Sequence, residues 1–210
     1  MTPPVYISGA VEGPSDERAF RRLVQLRGGQ VHRVQVANGK PGLRRALPGY
    51  NQAAKRSAWL VLVDLDQDFP CAGSLVAEWL PTPSAGMRFR VVVRQLESWL
   101  LADAERFARW FGVRKTAIPP SPDLLPDAKD ALLAVVARSR RAAVREDMIP
   151  RPGSRRRVGP AYASRLMEFI GDSQEGWRPE VAARRSPSLS TCMARLDELI
   201  AGTATDLGSP

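Results

Sequence analysis

The apolar residues of the first half of the chain follow two alternating rhythms. Val5–Val11, Gln30–Ala37, Ala58–Val63 and Met87–Val93 read as strands, the third an unbroken run of six apolar residues. A run of that kind suits a strand buried on both faces, as in a parallel sheet. Between the runs, apolar spacing of three and four predicts helices over Glu17–Leu26, roughly Leu43–Arg56 and near Ser74–Leu80. Gly13 permits the turn into the first helix, Pro14 suits its first turn, and Ser15 or Asp16 can cap it. Arg27-Gly-Gly29 stops that helix, and Pro48-Gly49 is expected to break the second. Regular alternation of strand and helix predicts an α/β fold, a mostly parallel four-stranded sheet flanked by helices with right-handed crossovers.

Beyond the fourth strand the pattern turns helical. Leu96, Trp99, Leu100, Phe107, Trp110 and Phe111 share one face of a region ending at Gly112, with Asp103 read as the cap of a second helix from Ala104. After Ile118-Pro-Pro-Ser-Pro122, helices are expected over Asp127–Ala143, Gly159–Ile170 and about Leu189–Ala201, followed by a frayed tail. The chain therefore divides into an α/β domain, residues 1–112, and a basic, helical C-terminal extension, residues 113–210.

Candidate chemistry concentrates at the end of the third strand, where Asp64, Asp66 and Asp68 follow the apolar run at alternate positions. Open α/β sheets place ligands at the carboxyl ends of their strands. Alternation puts the three acids on one side while the chain stays extended. Clustered carboxylates repel unless a cation or proton sits between them, and a hard divalent ion, Mg2+ or Mn2+, suits all-oxygen donors. The plainer alternative is a solvated acidic loop. Glu12 ends the first strand facing a helix N-terminus, where the helix dipole alone would favour a carboxylate. Glu97, directly after the fourth strand, is placed to reach the same acids.

Composition narrows the picture. With 210 residues and 44% apolar content the chain can build a real core. No 18-residue apolar stretch occurs, and Met1-Thr-Pro-Pro lacks the basic and apolar regions of a signal peptide, so a cytoplasmic protein without a membrane anchor is expected. Cys71 and Cys192 share no motif spacing, and the single His32 nearly excludes zinc. Net charge +9 points to a polyanionic partner, although the basic residues are mostly Arg, with four Lys, a skew that a GC-rich genome can also produce. The densest stretch, 138–157, sets eight Arg, among them Arg138, Arg141, Arg155, Arg156 and Arg157, against Glu146 and Asp147. It is the predicted contact for nucleic acid, DNA ahead of RNA; a solvated loop or a docking surface for an acidic protein is the alternative.

Glu12-Gly13-x-x-Asp16 after a first strand, with Asp64-x-Asp66 after a later one, resembles the topoisomerase–primase (TOPRIM) domain, a Rossmann-like fold also found in overcoming-lysogenization-defect nucleases. Glu97-Ser-Trp-Leu-Leu-Ala-Asp103, Ser186-Pro-Ser-Leu189 and Arg195-Leu196 look like a bacterial TOPRIM-like family of unknown function, often encoded beside ATPases in defence loci. The resemblance implies that Asp64 and Asp66 hold Mg2+, that Glu12 is an acid–base carboxylate or further ligand, and that Asp68 and Glu97 complete one or two metal sites. Lys129 is the candidate for the lysine that assists in such nucleases, a solvated helix residue being its plainer reading. The implied activity is metal-dependent cleavage of phosphodiester bonds, with an ATPase as partner.

Two other readings stay open. A haloacid-dehalogenase-type phosphatase would use Asp64 as nucleophile, but that motif normally lies near the N-terminus and leaves Glu12 unexplained. A non-catalytic adaptor or toxin subunit would use the fold only to bind a partner, and would bind no metal.

Overall fold

The computed structural model describes residues 4–207. Strands β1 (Tyr6–Val11), β2 (Gln30–Val36), β3 (Ala58–Asp64) and β4 (Met87–Val92) form one sheet in the order β2-β1-β3-β4, every pair parallel. Helices α1 (Pro14–Leu26), α2 (Lys40–Ala53) and α3 (Ala72–Trp79) link them. The fold is the α/β sheet with flanking helices that the pattern predicts. Because β2 and β3 lie on opposite sides of β1, the chain reverses direction across the sheet between β1 and β3, and a crevice opens there.

β3 is apolar throughout because both its faces are covered. Leu60 and Leu62 enter a large core with α1 and the later helices, while Trp59, Val61 and Val63 enter a second core with Leu43, Leu47 and Leu75 of α2 and α3. By the same alternation Asp64 continues the face of Leu60 and Leu62.

α2 runs unbroken through Pro48, against the expected break. Pro48 and Arg44 are exposed, so the Arg44 carbonyl that loses its partner to the proline can turn to water.

The remaining helices are α4 (Leu96–Ala102), α5 (Ala104–Phe111), α6 (Ala128–Val136), α7 (Ala142–Met148), α8 (Tyr162–Gly171), α9 (Pro179–Ala182) and α10 (Pro187–Leu207), with 3-10 turns at Lys115–Ala117 and Pro122–Leu124. The single helix expected over Asp127–Ala143 stops at Val136. There the buried Ser139 hydroxyl donates to the Phe111 carbonyl at 2.5 Å and Arg140 N–H donates to Gly112 at 3.0 Å, docking the connection on the end of α5. α10 extends to Leu207, past the expected fraying after Ala201. Residues 1–3, read above for targeting, and 208–210 lie outside the described residues. None of the described helices is long and apolar enough to cross a membrane.

The apolar core does not divide at residue 112, since Leu132, Phe169, Trp177 and Leu196 pack in one cluster with Leu23 and Leu62. Polar contacts reinforce the joint. Trp177 Nε1 donates to the Trp99 carbonyl at 3.0 Å, and the fully buried Asp103 accepts from Arg178 Nε at 2.9 Å and Nη2 at 2.7 Å while capping α5 through Arg106 N–H.

Removing one partner of a buried charged pair leaves the other uncompensated, and here a helix cap is lost with it. Asp103→Ala is therefore expected to cost about 3 kcal/mol in urea unfolding. A loss below about 1 kcal/mol would mean that Arg178 finds water instead.

Candidate active site

The crevice between β1 and β3 is where the acids gather. Glu12 leaves β1 one residue after Val11, and its Oε1 accepts the Asp64 backbone N–H of β3 at 2.8 Å. Asp16 lies one helical turn into α1 and accepts the Gly13 N–H at 2.9 Å. Its neighbours include Glu12 and Glu97, and Asp64 in turn faces Asp16, Glu97 and Glu12. Glu97, in the first turn of α4, is buried, accepts the Tyr162 hydroxyl of α8 at 2.8 Å and lies 3.5 Å from Lys129 Nζ of α6. Three strand ends and two C-terminal helices thus supply one polar chamber.

The electrostatics of that chamber are unrelieved. Burial, then the charges of Glu12 and Glu97, push the Asp16 carboxyl up to about 7. Burial and the same acids raise Asp64 well above the usual carboxylate range. Burial raises Glu12 too, against the lowering effect of the Asp64 N–H. Burial disfavours the Lys129 ammonium, but Glu97 and Asp64 outweigh it and hold its pKa above the ordinary lysine value. Among the described residues nothing donates a hydrogen bond to the Asp64 carboxyl. The Lys129 ammonium lies close enough to interact with it.

Asp66 and Asp68 do not continue the line of Asp64, which corrects the expected alternation. The strand ends at Asp64, and Asp66 takes a left-handed conformation, φ 51°. Its Oδ2 and the Asp68 Oδ2 both accept from Lys40 Nζ, at 2.8 and 2.7 Å, at the start of α2. Asp66 Oδ1 accepts from Gln95 Nε2 at 3.0 Å, and Gln95 Oε1 accepts the Lys129 N–H at 3.0 Å, joining the two halves of the site. Glu12 sits between them, feeling Lys40, Asp66 and Asp68 as well as the chamber.

Six carboxylates (Glu12, Asp16, Asp64, Asp66, Asp68 and Glu97) therefore face two lysines. All the donors are hard oxygens, and the excess negative charge is what a divalent cation would offset. As the side chains stand, no three His, Cys, Asp or Glu residues among the described ones are close enough together to hold a metal ion. The donor set fits Mg2+ in chemistry and charge.

Lys129 lies at the chamber. Asp16 joins it too, although its sequence context offers only a place in the Glu12-Gly13-x-x-Asp16 motif and a candidate helix cap. Lys40 and Gln95 were legible only as neighbours of a loop and a strand end, and Tyr162, inside an apolar helix, carried no signal at all. The Arg-rich stretch is not one surface. Arg155 and Arg156 are exposed, and Arg157 is ion-paired to Asp127 and Asp130 on either side of Lys129. Arg138 and Arg141 lie past the other end of α6, where Arg141 Nη1 donates to the Trp110 carbonyl at 2.7 Å. At about 1.5 Å per residue the length of α6 separates the two groups by roughly 13 Å.

Comparisons with protein-family models, with curated proteins and with solved structures find no match to this chain.

An acid whose pKa is higher folded than unfolded holds its proton more tightly in the native state. Its effect on stability is most favourable below the unfolded value, 3.8 for Asp16, and fades as pH rises to about 7. In EDTA, Asp16→Asn should then raise Tm at pH 8 by a few degrees, at about 2–4 °C per kcal/mol for a chain of this size, and change little at pH 4. Equal shifts at both pH values would show that Asp16 acts only as a cap.

Proposed function

We propose that the protein is an Mg2+-dependent nuclease that cleaves phosphodiester bonds. The observation that carries this reading is the Asp64 carboxyl, surrounded by Glu12, Asp16 and Glu97 and without a hydrogen-bond donor among the described residues. Such a group is costly to ionise alone and favourable to ionise beside a cation. Bound Mg2+ would supply charge neutralisation at the leaving oxygen and a water of lowered pKa.

The chain's own residues divide the remaining work. Glu12, its pKa raised by burial and its orientation fixed by the Asp64 N–H, is suited to exchange a proton with water or leaving group nearer neutral pH than an ordinary carboxylate. Lys129, charged and held by Glu97, presents a cation beside Asp64 for the negative charge that builds on the phosphate. Tyr162 and Gln95 keep Glu97 and Asp66 in place.

The phosphatase reading asks Asp64 to act as an ionised nucleophile. Burial against three further acids disfavours that state, and the gathering of acids from separate strand ends is superfluous to it. The TOPRIM resemblance brings an ATPase partner and a defence setting with it, and both remain part of the proposal.

Two measurements test the reading. Purified protein should cut DNA or RNA in Mg2+ or Mn2+ and not in EDTA, and Asp64→Asn or Asp66→Asn should lower that rate by at least about 100-fold with the melting transition kept. Metal binding without cleavage by the wild-type protein, or undiminished cleavage by Asp64→Asn, would overturn it, and absence of metal binding would favour the adaptor.

The salt dependence of nucleic-acid binding locates the basic contact. Each phosphate contact contributes a slope of about −0.9 on duplex DNA, so replacing Arg155 and Arg156 with Ala should flatten it by up to about two units. Arg157→Ala should change it less, because its guanidinium is already committed to Asp127 and Asp130. An unchanged slope in the double variant would move the contact elsewhere.

A further inference from the structure

A cavity of about 600 Å3 opens beside the turn that carries Asp66 and Asp68, lined by those two acids with Lys40, Arg44, Phe69 and Trp79. It is continuous with the candidate active site, since Lys40 and Asp66 belong to both. Its far wall is aromatic and cationic. Trp79 stacks on Phe89 with ring centroids 6.2 Å apart, and the Arg44 guanidinium, whose Nη2 donates to Glu78 Oε1 at 2.7 Å, lies 5.2 Å from the Trp79 ring centre. Phe69, half-buried directly after Asp68, takes part in no ring pair among the described residues. Trp79 Nε1 is buried there without a hydrogen-bond partner. The volume falls within the range of small-molecule sites.

Flat π surfaces, a guanidinium plane and a lysine next to a site for phosphate chemistry match one kind of occupant. A base stacks on aromatic rings or on an Arg plane whatever its identity, while its flanking phosphates meet the cations. Bases within a duplex are stacked on one another and cannot offer that face. We propose that this cavity holds an unstacked nucleobase of single-stranded nucleic acid, belonging to the nucleotide beside the phosphate at the acid cluster. The inference rests on the nuclease reading only for where that phosphate lies.

The test uses the full chain with fluorescein-labelled octathymidylate and with an abasic oligomer of the same length, followed by anisotropy with Ca2+ in place of Mg2+. Phe69→Ala should weaken the octathymidylate by about fivefold or more and leave the abasic oligomer unchanged. Phe69→Tyr, which keeps the ring, should restore wild-type affinity and guards against a folding defect. Arg44→Ala should weaken both oligomers alike and only slightly, because its guanidinium is already paired with Glu78. Equal binding of the two oligomers by the wild-type protein, or a Phe69→Ala loss that is the same for both, would overturn the pocket. Cleavage in Mg2+ decides the nuclease reading separately. Base-dependent binding without cleavage would sink that reading and keep the pocket, and cleavage with no base effect would do the reverse.

Discussion

The bond from the Asp64 N–H to Glu12 fastens the end of β3 to the end of β1 at the point where the sheet changes direction. It also forces two carboxyl groups together, and Asp16 and Glu97 join them from the adjoining helices. Most of the neighbouring polar structure answers that crowding. Lys40 draws Asp66 and Asp68 aside, Gln95 bridges to the Lys129 backbone, and Lys129 and Tyr162 converge on Glu97. Low dielectric makes each of these contacts stronger, and makes any carboxylate left without a partner more costly. Among the described residues, Asp64 is the carboxylate of this group for which no donor is provided.

This crowding explains why the C-terminal helices are joined so firmly to the sheet. Lys129 on α6 and Tyr162 on α8 meet Glu97 on α4, so the site's walls come from both sides of residue 112. α4 is the hinge of that arrangement. Its Trp99 carbonyl receives Trp177, its Trp99 ring nitrogen donates to Ser188 at 2.8 Å, and its C-cap Asp103 binds Arg178. A site that stores unfavourable charge draws its rigidity from the core around it, here an apolar cluster running from Val5 to Leu199.

Much of this was legible along the chain, for identifiable reasons. Ala58–Val63 announced a doubly covered strand because nothing in it could face water, and Asp103 announced a cap because it sits where one helix must end and the next begin. The spacing of Asp64, Asp66 and Asp68 misled, because alternation holds only while the chain stays extended and Asp66 leaves that conformation. Pro48 misled because the carbonyl it deprives is exposed. Ser15 and Asp16 misled as caps, because the helix begins earlier, at Pro14 with Gly13 as its N-cap, and Asp16 bonds back to the Gly13 N–H from inside the first turn. Lys40, Tyr162 and the pairing of Arg157 depend on contacts between residues far apart in sequence, which no local pattern encodes.

The overall charge is +9 while the crevice sets six acids against two lysines, so the centre repels the polyanion that the body attracts. A phosphate backbone can approach such a centre only along cationic flanks, or with a cation already between the acids. The structure has cationic flanks at two places. Arg44 borders the aromatic cavity on the α2 side, and the loop carrying Arg155 and Arg156 is tied to α6 beside Lys129 through Arg157. The negative centre lies between them. If the protein acts on nucleic acid as proposed, positive edges around a carboxylate core would let long-range attraction bring the strand in, while local repulsion would withhold binding energy from the centre until a divalent cation is present. On that reading affinity for the strand and competence to act on it would be carried by different residues, and a change to the flanks should leave the chemistry of the acids intact.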